Sequence, residues 1–193
     1  IKGPIERAGI NLGAPADRMS PDGGTLWLDH PSVGGPSPEV EVTVEPAAVR
    51  WIRRHSFRVA GGRGHRFVAA SCGEGIRSLR ARLYSDKERR FVVRLHFAEY
   101  DASVRPGDRV FAVAIQGKSV GTVDVARESG GVNRGLVKEY RGVAAADVLT
   151  VTLSPRAGRE TILSGVEIAA EGVALGPPPA IPSLAGNPWV GDA

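Results

Sequence analysis

One cysteine, one methionine and four lysines are all that the 193 residues hold of those three types. The lone Cys72 can close no internal disulfide and can anchor no multi-cysteine metal site. It sits in the strand-like apolar run Val68-Ala-Ala-Ser-Cys72, where a thiol is read as an inert core residue rather than a nucleophile. No apolar run approaches the roughly 20 residues of a membrane-spanning helix, so no membrane span is expected. The histidines His30, His55, His65 and His96 show no His-x-x-x-His spacing, so a zinc site has no local support. No metal and no cofactor are expected. Apart from Lys2, Lys87, Lys118 and Lys138, all 25 basic residues are arginines, and the net charge is +4. Arg53-Arg54 and Arg89-Arg90 hint at a nucleic-acid surface. The remaining arginines are scattered among acids with no basic stripe, so nucleic acid is not expected as a partner. Arginine enriched together with Ala, Gly and Pro suits a GC-rich genome. Ile1 is not an initiator, so the chain reads as a piece of something longer and says nothing about export.

Periodicity is the positive signal. Phe91, Val93, Leu95 and Phe97 alternate with Val92, Arg94, His96 and Ala98, which predicts a half-buried strand with one apolar face. Phe111, Val113 and Ile115 repeat the pattern, Gln116-Gly117-Lys118 turns the chain, and Val120, Val123 and Val125 return it. Residues 89–126 therefore read as a meander at the centre of an antiparallel sheet. Further strands are predicted at Ile10–Gly13 (an edge), Thr25–His30, Val40–Glu45, Trp51–Val59, Phe67–Ser71, Leu79–Tyr84, Leu136–Val143, Leu149–Leu153 and Ile162–Ile168. No stretch of helical length carries a 3.6-residue apolar period. The fold class is all-β, a jelly-roll-like antiparallel β-sandwich. Residues 1–24, rich in Gly and Pro, read as an N-terminal loop or edge segment packed on the domain. Residues 25–172 form the sandwich, and 173–193 read as a proline-rich linker or tail in which Trp189 is free.

The candidate chemistry lies in loops. Ala112–Ser119 loosely fits a phosphate-binding loop, but its spacer is a strand and another strand follows, so a hairpin turn explains it. Asp29, Glu99, Asp101, Asp108 and Glu160 stand at strand ends. A glycosidase would need two of them across a cleft, but no nucleophile motif accompanies them, and hydrolysis is the lesser alternative. All five phenylalanines fall in apolar runs, whereas Tyr100 follows its strand into a polar loop beside Asp101. Trp27, with His30 three residues on, borders a proline-ended loop; packing across the sandwich explains it equally well. Exposed aromatics beside polar groups suit sugars, the ring covering C–H groups while acids or arginines take hydroxyls.

Phe91-Val-Val-Arg-Leu-His-Phe-Ala-Glu99, Arg109-Val-Phe-Ala-Val-Ala-Ile-Gln-Gly117, Leu149-Thr-Val-Thr-Leu153 and Ile162-Leu-Ser-Gly-Val-Glu-Ile168 together resemble the malectin family, also grouped as a carbohydrate-binding module. The resemblance implies a jelly-roll sandwich that binds glucose-type oligosaccharides through loops at one end. It places Tyr100 where family aromatics follow the Phe-Ala-Glu strand, with Asp101 where a second aromatic can stand. It maps an acidic ligand contact near Arg159-Glu160 and first-half aromatics near Trp27 and Trp51. It also implies a module of a secreted, bacterial multidomain protein, extracellular or periplasmic, with neighbouring domains as partners. The expectation is thus a non-catalytic carbohydrate-binding module, not an enzyme, with Tyr100, Asp101, Trp27, His30, Trp51, Arg159 and Glu160 at its site and an oligosaccharide or glycan as ligand. The alternative is a protein-interaction or spacer domain on the same sandwich.

Overall fold

A computed structural model describes residues 3–35, 38 and 40–184. Trp189 and the end of the expected tail lie outside them. The strands are β1 (Arg7–Leu12), β2 (Arg18–Met19), β3 (Leu26–His30), β4 (Val42–Glu45), β5 (Arg50–Arg53), β6 (Gly61–Gly62), β7 (Ser71–Glu74), β8 (Ser78–Arg82), β9 (Arg89–Ala98), β10 (Val110–Ile115), β11 (Lys118–Asp124), β12 (Arg134–Ala145), β13 (Val148–Pro155), β14 (Ile162–Leu163) and β15 (Gly165–Ala170). One short helix, α1 (Val125–Ser129), and a 3₁₀ turn at Ser56–Arg58 are the helical elements among the described residues.

Two sheets make the sandwich. The larger runs β2-β3-β1-β15-β9-β12-β6 and the smaller β11-β10-β13-β8-β4, with β14-β7-β5 as a three-stranded ribbon. The period-two apolar sets face each other across the core. Phe91, Val93, Leu95 and Phe97 of β9 meet Phe111, Val113 and Ile115 of β10 in one cluster, and the rings of Phe97 and Phe111 lie 5.7 Å apart. The all-β sandwich expected from periodicity is what the chain forms.

Several local expectations are corrected. The β10–β11 hairpin forms, but β9 belongs to the other sheet and β11 is an edge strand, so residues 89–126 are not a central meander. Ile10 lies in an interior strand, because β1 pairs with both β15 and β3. Residues 66–70 are a turn, and the strand starts only at Ser71. The proline segment, through Pro182, lies against the larger sheet; Ala180 bridges Arg63 and Ile181 joins the core. With that segment over Arg94, and with Trp27 and the turn at Gly64 over His96, β9 is buried on both faces. An alternating pattern shows which residues share a face but not what covers it.

His96 has a measurable consequence. Burial above all, with the charges of His65 and Arg94, lowers its pKa to about 3 from an ordinary 6.5. The unfolded chain therefore takes up a proton below pH 6.5 that the folded chain refuses until about pH 3. This contribution is complete above 6.5 and is lost as the pH falls between those values. At pH 5 the loss from His96 alone is about 2 kcal/mol. The drop in melting temperature from pH 7 to pH 5 should be about 4–8 °C smaller in His96→Leu than in the parent. Parallel pH dependence in the two proteins would contradict the assignment.

Candidate functional site

The loop after β9 is built around a buried ion pair. Arg109, one residue before β10, reaches back so that its Nε donates to Glu99 Oε2 at 2.7 Å and its Nη1 to Glu74 Oε1 on β7 at 3.1 Å. Nη1 also donates to the Glu160 carbonyl. The Arg109 and Glu99 side chains are only 3% and 1% exposed. Glu99 Oε1 in turn accepts from the Tyr100 and Asp101 amides at 3.0 and 3.1 Å. One guanidinium thus ties the ends of the 99–109 loop to β7 and to the loop before β14.

This framework decides where the expected residues stand. Tyr100 is buried, not presented. Its hydroxyl lies 2.9 Å from the carbonyls of Ala69 and Ser71, and Ser164 Oγ is 3.0 Å away. Burial raises the phenol pKa well above its usual value. Asp101 is on the surface. Its Oδ1 accepts from the Ser103 amide and hydroxyl at 2.9 and 2.6 Å, and its Oδ2 from Arg159 Nη1 at 2.7 Å. The Ser103 bonds first, then Arg159, hold its carboxyl down to about 2. The Glu160 side chain pairs with Arg77 at 2.6 Å. Tyr100, Asp101, Arg159 and Glu160 are therefore brought to one end of the sandwich, but their polar groups already have partners within the protein.

The first-half residues gather elsewhere. Trp27 has 0% exposure and lies on the outer face of the larger sheet, edge-on to His96 at 5.0 Å, His65 at 5.8 Å and Phe67 at 6.2 Å. Trp51 is half-buried against the core and meets His30 edge-on at 5.7 Å. The expected stacking platform of Trp27 and Tyr100 is corrected: both rings are core, because a turn covers Trp27 and the 69–71 backbone needs the Tyr100 hydroxyl.

Arg54, read from sequence only as one of a basic pair, belongs to this end of the sandwich as well. Its guanidinium carbon lies 5.7 Å from the Tyr100 ring, and it has no carboxylate partner among the described residues. It lines a cavity of about 320 Å³ together with Arg50, Glu74, Asp101 and Arg109. Three residues on, Phe57 is 53% exposed with its ring stacked on His55 at 5.0 Å. The break in strand pattern after Arg53 was the available signal. Among the described residues, no cluster of three or more His, Cys, Asp or Glu could hold a metal ion.

No family model matches the sequence. Over 85 residues the chain is 36% identical to Receptor-like protein 4 of Arabidopsis thaliana, covering 43% of this chain and 14% of that protein. The extracellular domain of ANXUR2 from Arabidopsis thaliana matches over 91% of this chain and 51% of its own, with a TM-score of 0.64 at 17% identity. The complex of the plant peptide RALF23 with FER and LLG2 gives 0.57 at 19% identity, over 86% of this chain and 48% of that one. A β-glucuronidase of Bacteroides uniformis gives 0.57 at 16%, over 85% of this chain and 18% of the enzyme. The chain thus spans about half the length of the plant ectodomains and less than a fifth of the other two proteins. The malectin-like fold is shared. Among the described residues no helix is long and apolar enough to cross a membrane.

Proposed function

We propose that the chain is a non-catalytic recognition module of an extracellular, multidomain protein, and that the loop end of its sandwich binds a protein or peptide. One observation carries this: the Tyr100 and Trp27 rings that a sugar platform would expose are buried, while Arg54, 5.7 Å from the Tyr100 ring, and Phe57, three residues on, are exposed. Arg54 and the Phe57–His55 stack have the chemistry of interface anchors, a cation and a flat apolar surface that lose water on contact. The solved complex of FER with a peptide and a second protein, on the same fold, supports this class of partner. A glycan bound in the cavity beneath Arg54 is the second reading, favoured by the resemblance and by the arginine and carboxylates lining that cavity.

A screen of gluco-oligosaccharides and of a displayed peptide library separates the two. The expected result is peptide binders that lose at least tenfold in affinity with Arg54→Ala or Phe57→Ala at unchanged melting temperature. Tyr100→Phe should cost about 1–3 kcal/mol of stability, since the one O–H shared between two carbonyls and the contact with Ser164 Oγ are lost. Saturable glucan binding, abolished by Tyr100→Ala with the melting temperature intact, would overturn the proposal.

A further inference from the structure

Beyond the loop end, the proline segment lies on the outer face of the larger sheet. Pro177, Pro178 and Pro179 fix φ near −65° and leave a stretch whose carbonyls have no internal donors, as in a polyproline II strand. The domain supplies those donors. Arg7 Nη1 donates to Ala174 O at 3.2 Å, Arg94 Nη2 to Gly176 O, Arg63 Nη1 to Pro178 O at 3.5 Å and Arg66 Nη2 to Pro182 O. Backbone pairs add to these: Gly64 N donates to Pro179 O at 2.8 Å and Ile181 N to Gly62 O at 2.9 Å. Arg94 is itself 4% exposed and is fixed by Glu139 at 2.7 Å and Glu167 at 3.3 Å, so this donor is set before any strand lies on it.

The segment does not fill its groove. A cavity of about 380 Å³ runs beside Pro177, Pro179 and Pro182, and its opposite wall carries Arg18 and Phe67. The Arg18 guanidinium carbon lies 4.8 Å from the centre of the Phe67 ring. Ordered guanidiniums for carbonyls and an aromatic wall for pyrrolidine rings are what a proline-rich strand needs.

We propose that this face is a docking groove for an extended, proline-rich peptide, with the chain's own 174–182 segment as its resident occupant. The proposal does not depend on the loop-end reading, since none of the residues above belongs to that site. A peptide in trans must displace the tethered segment, whose short connection gives it an effective concentration of order mM. Binding is therefore weak in the parent and stronger where the resident is released.

Ile181→Asp places a charge in the anchor pocket and releases the segment. The probe is a labelled synthetic peptide with the sequence Ala174–Ser183, titrated against the full chain. Expected are an affinity at least tenfold higher for Ile181→Asp than for the parent and faster amide exchange at Gly64. A peptide with alanine at its three consecutive prolines should bind at least tenfold more weakly. Should Ile181→Asp fail to melt cooperatively, the triple variant Pro177→Ala/Pro178→Ala/Pro179→Ala weakens the resident segment, is read by exchange at Gly64, and leaves the groove's own donors, Arg63 and Arg66 included, unchanged. No saturable binding to a folded released variant at millimolar peptide, or equal binding of the alanine peptide, would overturn the proposal. So would loss of binding in Arg54→Ala, which would move the peptide to the loop end; if Arg54→Ala leaves the peptide unaffected, the groove stands whatever the outcome at the loop end.

Discussion

Arg109→Ala is expected to lower stability by about 3–5 kcal/mol, the range for breaking a buried ion pair from one side. Glu99 would be left at 1% exposure with its guanidinium gone, and Glu74 would lose one of two arginine partners. The Glu160 carbonyl would lose a donor as well. The damage is not confined to the pair. Glu99 Oε1 receives the amides of Tyr100 and Asp101, so a carboxylate pulled toward water takes the start of the loop with it. Removing both partners should be milder than removing one, because two apolar side chains of similar volume leave no stranded charge. Arg109→Met with Glu99→Leu should therefore lose less than Arg109→Met alone. Urea unfolding of the two single variants and the double one measures this. A loss below about 1 kcal/mol for Arg109→Ala, or simple additivity of Arg109→Met and Glu99→Leu, would show that the pair does not act as a unit.

Local pattern carried the sequence reading as far as local pattern acts. The β10–β11 hairpin was legible because alternation on both sides meets a turn that needs positive φ, and Gln116 and Gly117 adopt 50° and 72°. Leu149, Val151 and Leu153 were legible as core for the same reason and are all buried. Sheet membership was not legible. Nothing in residues 99–109 says that the chain crosses from one layer to the other between β9 and β10, because that choice is made by partners distant in sequence. The candidate site failed similarly. A tyrosine at the end of a strand is placed by its neighbours, but whether its ring faces water depends on the 69–71 backbone arriving to accept its hydroxyl. The proline segment read as a linker by composition, and composition is silent about guanidiniums from Arg7, Arg63, Arg66 and Arg94 converging on its carbonyls.

Trp27→Ala is the other large expected effect, about 3–5 kcal/mol, the usual range for emptying a buried aromatic site. Trp27 pairs with Gly9 across β3 and β1, and its indole lies over that glycine and toward Gly165 on β15. A Cβ built at Gly9 would sit 2.3 Å from Trp27 Cδ2, and one at Gly165 would sit 3.1 Å from Trp27 Cζ3. Two glycines thus form the trough that lets a tryptophan lie flat on a sheet, with His65, Phe67 and His96 packed edge-on around it. Trp27→Phe should cost much less than Trp27→Ala, since it keeps a ring in the trough and removes an Nε1–H that has no hydrogen-bond partner there. Gly9→Ala should destabilise by about 1–3 kcal/mol through overpacking. In a Trp27→Ala background the same Gly9→Ala change should be close to neutral, because the space it invades is then vacant. Thermal unfolding of the four proteins closes the cycle. A full Gly9→Ala penalty in the absence of the indole would trace the glycine requirement to the backbone of β1 and leave Trp27 without its trough.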